Sequence, residues 1–366
     1  MRRPSCGSKK KRVLETGPAP GAVAPRRARF NDAQIEMSHG AGGKASRRLV
    51  EGLIAPAFAN PILAALSDAA TFSLGGRRVA TSADGYVVRP LRFPGGSIGE
   101  LAVNGTVNDL AVSGARATAL MASFILEAGL PSDVLRAEVE AMAAAAARAG
   151  VPIVGGDTKV VEHGLCDGMY ISTFGVGEVD ERLALDPRSV RPGDKVLLSG
   201  PIGDHGITIL LARGELDLEA NLRSDTRSVW PFVEALLEVC PAGLRWMRDP
   251  TRGGVATALN ELARDSGLGI LLREEDIPLR REVRGACEVL GLDPLHIANE
   301  GQVIAIVAAD DADRALDAVR SVTGGEGACL IGEVRADHAG TVVGITLYGG
   351  TRAIDMLVGD PLPRIC

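Results

Sequence analysis

The sequence predicts an α+β fold of two domains with a short C-terminal tail. Three observations carry that expectation. At 366 residues the chain is long enough to bury two separate cores. Between residues 33 and 179, segments of strand and helix periodicity follow in the order β-β-α-β-α-β-β, which suits a mixed sheet with helices on one face. At RPGDKVLLSG (191–200) a turn and a buried strand begin a second series of helices and strands. The expected divisions are a disordered basic head over 1–34, an N-terminal domain over 35–190, an α/β C-terminal domain over 191–350 and a mobile tail over 351–366.

In chain order, AQIEM (33–37) reads as a short strand running into the glycine-rich SHGAGGK (38–44). RRVATSAD (77–84) is a strand ending in an acid. In GGSIGELAVNGTVNDLAVSGA (95–115), Ser97 and Glu100 have capping-box spacing, and Ile98, Leu101, Val107 and Leu110 follow at roughly helical spacing. The strand TALMASFIL (118–126), an Ala-rich helix over 132–148 stopped by Gly150, and the strands VPIVGGD (151–157) and MYISTFGVGEV (169–179) complete the half. The second half places helices near 205–213, 228–239 and 253–266, and strands near 269–273, 303–309, 328–334 and 341–348.

Charge is uneven. Residues 1–30 hold nine Lys/Arg against the single acid Glu15, whereas 31–366 hold 31 basic against 45 acidic side chains, a balance of −14. An acidic body argues against nucleic acid as the main ligand. Apolar runs such as VIAIVAA (303–309) are too short to span a bilayer, and the head has no apolar region of signal-peptide type. Six cysteines, at 6, 166, 240, 287, 329 and 366, form no C-x-x-C pair, so neither a zinc site nor a disulfide framework is expected, and the cytoplasm is the default compartment.

The chemistry-bearing positions are acids at strand ends and loops: Asp84, Asp109 in VND, and Asp157 in GGDTK. Singly, each is explained as well by a cap or a turn. Together they read as a nucleotide site, because carboxylates gathered in one place repel unless a hard dication such as Mg²⁺ lies among them. HGAGGK offers unobstructed N–H groups at Gly42 and Gly43, and Lys44, for phosphate oxygens. Lys159 reaches the same region as a point charge. Glu300, before the apolar run QVIAIVAA, is expected to be partly buried, as a hydrogen-bond partner or a base with raised pKa. His205 opens a helix and reads first as a cap, and RDPTRGG (248–254) is another helix entry able to bind an anion. The last residues, PLPRIC (361–366), form a stiff arm whose terminal thiol can enter a pocket end-on.

HGAGGK, NGTVNDLAVSGA, GDTKVV, GDHG, RDPTRGGV, ANEG and the final PRIC together resemble the HypE family of NiFe-hydrogenase maturation proteins, in order from about residue 35 to the end. The terminal PRIC distinguishes that family within the PurM-like, AIR synthase-related superfamily. The resemblance implies a two-domain fold, a homodimer whose N-terminal sheets join, and bound ATP with Mg²⁺. It further implies that the carbamoyltransferase HypF loads Cys366, that ATP-driven dehydration turns the S-carbamoyl group into a thiocyanate, and that the cyano group passes to the HypC–HypD complex. On that reading Asp84, Asp109 and Asp157 hold metal and phosphate, Asn108 and Thr158 adjoin the nucleotide, and Lys159 sits near the transferring phosphate. Glu300 is the acid of the catalytic pocket, with His205 or Asp109 next in line as base. The sequence departs from the family in ADGYV, where Ala83 and Gly85 stand for hydroxyl residues. Two alternatives share these features: another PurM-like phosphoryl transferase such as a selenophosphate synthetase, and a non-enzymatic carrier presenting a terminal thiol.

Overall fold

The computed structural model describes residues 29–214, 220–359 and 362–366. The disordered head expected over 1–34 thus lies, up to residue 28, outside the described residues.

No strand forms at 33–37. Ile35 and Met37 are exposed, with no neighbouring strand to cover them, and a 3₁₀ turn (Met37–Gly40) leads instead into α1 (Lys44–Leu49), a π turn (Val50–Ile54) and α2 (Ala55–Ala57). The first strand is β1 (Ala70–Leu74), joined to β2 (Arg77–Tyr86) through Gly75 and Gly76, at φ of 60° and 85°. A two-residue hairpin needs that backbone twist, and glycine adopts it without strain. A small hairpin of β3 (Arg92–Phe93) and β4 (Gly96–Ser97) follows, then α3 (Ile98–Val112), β5 (Ala115–Glu127), α4 (Ser132–Ala149), β6 (Ile153–Val161) and β7 (Met169–Val179).

Five strands make the first sheet, in the order β1-β2-β7-β5-β6, and only β5 and β6 run parallel. Helix α3 lies on one face and α4 on α3. Every residue of α3 except Glu100 and Asp109 is buried, because the sheet, α4 and the second domain enclose it. The opposite face is bare, with Met121, Ile125 and Phe174 exposed.

The capping box anticipated at Ser97 and Glu100 does not form, since Glu100 pairs with Arg148. The cap comes from α4: buried Glu138 accepts the Gly99 N–H at 3.1 Å and pairs with Arg92 at 2.6 Å. A carboxylate there offsets the positive end of the helix. Glu138→Ala is expected to cost about 2 kcal/mol, as a lost cap plus a stranded buried donor. Thermal unfolding measures it as a Tm several degrees lower, and an unchanged Tm counts against the cap.

The second domain is a seven-stranded sheet in the order β14-β13-β10-β12-β8-β11-β9. Its elements are β8 (Lys195–Leu198), α5 (Asp204–Ala212), α6 (Trp230–Val239), β9 (Leu244–Arg248), α7 (Gly254–Ser266), β10 (Gly269–Arg273), α8 (Arg281–Leu290), β11 (Ile304–Val307), α9 (Ala312–Ser321), β12 (Cys329–Arg335), β13 (Val342–Ile345) and β14 (Thr351–Ile354). Strand alternation feeds two cores. Val196, Leu198, Ile304 and Ile306 pack with Val255 and Leu259 of α7, while Leu197, Ala305 and Val307 pack with α6 and α9. Strand β14 carries the sheet past Gly350, where the ordered body was expected to end.

The last residues are docked. Leu362 and Ile365 are buried in one apolar cluster with Tyr86, Val88 and Phe93 of the first domain and Ile207, Val283 and Ile297 of the second.

Candidate active site

Three carboxylates from separate elements converge where the domains meet. Asp68 precedes β1, Asp109 lies on α3, and Asp249 follows β9, with one oxygen of each lying within 4.8 Å of the others. Asp84 on β2 adjoins them, its charge felt by all three. Its Oδ2 accepts the Tyr86 hydroxyl at 3.3 Å, and Ser82 Oγ donates to Asp109 at 2.5 Å. Arg248 donates to Asp68 at 3.0 Å and pairs with Glu261. Burial, then neighbouring carboxylates, push Asp109 well above the usual range and Asp249 up to about 8. Burial raises Asp68 too, against the opposing charge of Arg248. Oxygen-only donors, mutually repelling at this range, have the chemistry of a hard-dication site, and Mg²⁺ fits them.

Glu300 is buried just before β11, and its backbone is fixed on both sides. Its N–H donates to Asp225 Oδ1 at 3.0 Å, and its carbonyl accepts from Asn108 Nδ2 at 3.2 Å. Its Oε1 is buried with no hydrogen-bond partner among the described residues. Burial, with Asp249, Asp225 and Asp84, raises its pKa well above the ordinary glutamate value, and Arg252 opposes the shift. Once ionised, such a carboxylate is a stronger proton acceptor than an ordinary glutamate.

The tail is held by backbone hydrogen bonds: the terminal carboxylate of Cys366 accepts the Val87 N–H at 3.0 Å and the Arg364 carbonyl the Arg89 N–H at 3.3 Å. Arg213 donates to the carbonyls of Pro363 and Arg364, and Arg364 pairs with Asp167 at 2.5 Å. Arg252 is held in its charged form chiefly by Cys366, and also by Glu300 and Asp84. Cys366, Arg252 and Glu300 thus share one electrostatic neighbourhood with the acid cluster.

Several residues picked from the sequence have other tasks. The trio Asp84, Asp109 and Asp157 is not the one assembled: Asp68 and Asp249 join Asp109, with Asp84 alongside. Asp157 lies three strands from Asp84, about 14 Å at normal strand spacing. It also points the other way. Asp84, Thr173, Ala122 and Gly156 form one cross-strand row, so Asp157, the next residue, faces the bare side. There it pairs with exposed Lys159 at 2.7 Å and accepts the Thr158 N–H at 2.8 Å. The side chain of Asn108 is spent on the second domain, donating to the carbonyls of Arg227 and Glu300 and accepting from Val229 N–H at 2.8 Å.

His205 is a tail anchor rather than a proton taker. It is buried, and its Nε2 lies 2.7 Å from the Ile365 carbonyl, which can only accept, so Nε2 carries the hydrogen. Nδ1 then accepts from Ser224 Oγ at 2.8 Å. Burial holds its pKa below the ordinary value. Gly42 and Gly43 let two segments cross, since a Cβ on Gly42 would meet Arg252, 2.7 Å from its carbonyl, and one on Gly43 would meet the Leu357 carbonyl. Lys44 pairs with Asp355 at 2.5 Å.

Sequence reasoning missed Asp68, Asp249, Arg252 and Asp225. For Asp68 and Asp249 there is a usable signal, since each borders a strand; it is hidden when the first strand is placed at 33–37 and RDPTRGG is taken as a glycine-rich helix entry.

Two sheet-and-helix domains with an acid cluster at their junction define an AIR synthase-related protein. The family model of the AIR synthase related protein N-terminal domain matches residues 66–179, and that of the C-terminal domain matches 191–345. The chain is 51% identical over 337 residues to carbamoyl dehydratase HypE of Azotobacter vinelandii, covering 92% of this chain and 98% of that one. A crystal structure of a HypE–HypF complex superposes with a TM-score of 0.80 at 43% identity, covering 84% of this chain and 99% of that one. A structure of HypE in complex with ATP gives 0.76 at 47% identity, covering 91% and 100%. The chain belongs to the HypE family.

Proposed function

We propose that this protein is an ATP-dependent carbamoyl dehydratase acting on its own C-terminal thiol, in the maturation of NiFe hydrogenases. One observation carries the reading: the tail ending in Cys366 is docked by His205, Arg213 and Val87 so that its charge acts on Arg252, which also feels the buried Glu300, and both share a neighbourhood with a carboxylate cluster suited to a dication. Membership of the HypE family supports it over a selenophosphate synthetase or a passive carrier.

Asp68, Asp109 and Asp249, with Asp84 adjoining, would hold Mg²⁺. ATP with Mg²⁺ supplies the phosphoryl group that converts the amide oxygen of an S-carbamoyl group into a leaving group. This chain's residues do the rest. His205 and Arg213 hold the tail backbone, Arg252 provides positive charge toward Cys366, one amide proton leaves to solvent as the oxygen is phosphorylated, and ionised Glu300 takes the second as the carbon–nitrogen triple bond forms and phosphate departs. The product is a thiocyanate on Cys366. HypF is the carbamoyl donor, a reading supported by the solved HypE–HypF complex, and HypC–HypD is the acceptor of the cyano group. Homodimerisation through the bare face and β6 covers Met121, Ile125 and Phe174 and brings Asp157, Thr158 and Lys159 into an intersubunit site. Among the described residues no helix is long and apolar enough to cross a membrane, and a cytoplasmic setting suits an ATP-dependent enzyme with an essential reduced thiol.

Intact mass spectrometry after mixing with HypF, carbamoyl phosphate and ATP tests the reaction: Cys366 gains one carbamoyl group and then loses one water. A tail that never gains the group refutes the assignment. A second expected result concerns docking. Mg-ATP should slow alkylation of Cys366 several-fold, in so far as it binds the inward tail more tightly. Equal rates with and without Mg-ATP count against that coupling.

A further inference from the structure

Two consecutive residues, Ser224 and Asp225, reach both partners in the chemistry. Ser224 Oγ donates to His205 Nδ1 at 2.8 Å while accepting the Thr226 N–H at 3.1 Å. The ring is thus tethered on both nitrogens, with Nε2–H held by the Ile365 carbonyl, one residue before the thiol. Asp225 points to the other side. Its Oδ1 accepts the Glu300 N–H at 3.0 Å and its Oδ2 the Gly301 N–H at 3.2 Å, a two-point grip on the backbone that carries the buried carboxyl.

The segment bearing them is itself fixed. Ser224 N–H donates to the Pro94 carbonyl at 2.9 Å in the first domain. Arg227 donates to the carbonyls of Gly301 at 2.9 Å and Gly324 at 3.1 Å, and lies 4.7 Å over the Phe232 ring. Neither Ser224 nor Asp225 belongs to the acid cluster.

We propose that Ser224 and Asp225 are positioning residues that set the thiol of Cys366 and the carboxyl of Glu300 in register, Ser224 by holding the His205 ring in place through Nδ1 and Asp225 through the Glu300–Gly301 backbone. The proposal rests on the dehydratase reading for what the register serves, but each half has its own signature. Ser224→Ala leaves buried Nδ1 without its donor, so the ring loses its second tether and its grip on the tail weakens. Asp225→Asn replaces an acceptor with an amide NH₂ that cannot receive an N–H, so one of the two grips is lost.

The experiment measures Cys366 alkylation without ATP, the Km for ATP, and the rate of water loss from the pre-carbamoylated tail. Ser224→Ala should speed alkylation about fivefold, the worth of one neutral hydrogen bond, and Ser224→Thr should restore the wild-type rate. Asp225→Asn should leave alkylation unchanged, keep the Km for ATP within about twofold, and slow water loss about 10- to 100-fold, as small misplacements of reacting groups do. Each variant is first checked for the wild-type rise in Tm with Mg-ATP, and Asp225→Glu, which keeps both acceptors but displaces them, replaces Asp225→Asn if that check fails. Wild-type alkylation in Ser224→Ala, or wild-type water loss in the Asp225 variant, overturns the corresponding half. A wild-type protein that alkylates normally but never loses water overturns the dehydratase reading instead.

Discussion

Glu300→Gln is expected to bind ATP, accept the carbamoyl group on Cys366 and then stop. Glutamine matches the shape of glutamate, so the pocket around it and its backbone hydrogen bonds, accepting from Asn108 and donating to Asp225, are retained. What is lost is a proton acceptor. The wild-type carboxyl has a raised pKa because burial and the charges of Asp249, Asp225 and Asp84 oppose ionisation, and a stronger base removes the amide proton more readily. General-base contributions of this kind are worth about 10²- to 10⁴-fold in rate. The readout is the mass of the tail: a persistent carbamoyl adduct with no loss of water. If thiocyanate forms at the wild-type rate, the base is another group.

Asp109→Asn and Asp249→Asn are expected to abolish Mg-ATP use while making the metal-free protein more stable. Asp249 carries a pKa of about 8 in the folded chain against 3.8 for an ordinary aspartate, and Asp109 is also raised well above 3.8. With the folded value above the unfolded one, the native state binds more protons over that interval, so stability falls as pH rises from about 4 to about 8 and levels off beyond. In chelator, wild-type Tm should therefore decline between pH 5 and pH 8. Each Asn variant should decline less steeply and melt higher at pH 8, by about 2–4 °C for every kcal/mol relieved. Adding Mg²⁺ should raise Tm in the wild type and fail to do so in either variant. A variant that melts lower in chelator and still responds to Mg²⁺ rules out the cluster as a cation site.

Local rules made part of this fold legible. Gly150 stops α4 in the left-handed conformation, with φ of 67°, and β7 spans the residues that its alternation marked. The error at 33–37 has a plain cause: five residues alternate, but a strand needs a neighbour, and none is there. The hairpin at Gly75–Gly76 was the better signal. Capping at α3 illustrates the other limit, because Ser97 and Glu100 satisfy the local pattern while Glu138, 39 positions from Gly99, makes the bond. In the site, Cys366 and Glu300 stood out by chain position and by burial. Asp157 and Lys159 could not be separated from the acid cluster without knowing which sheet face each occupies, and Asp225 acts through a backbone 75 residues away.

The docked tail also sets the terms on which other proteins reach it. Withdrawing residues 362–366 exposes Leu362 and Ile365, each 3% accessible, and breaks the Arg364–Asp167 pair. Burial of two such side chains alone is worth on the order of 3–6 kcal/mol. The extended form is then populated by roughly one molecule in 10² to 10⁴. A carbamoyl donor that captures the thiol from outside sees its apparent affinity weakened by that same fraction. The enzyme's own pocket is in this sense a competitor for its substrate. Loading is the uphill step, and once the donor lets go, the charged tail falls back toward Glu300 with no further input of energy.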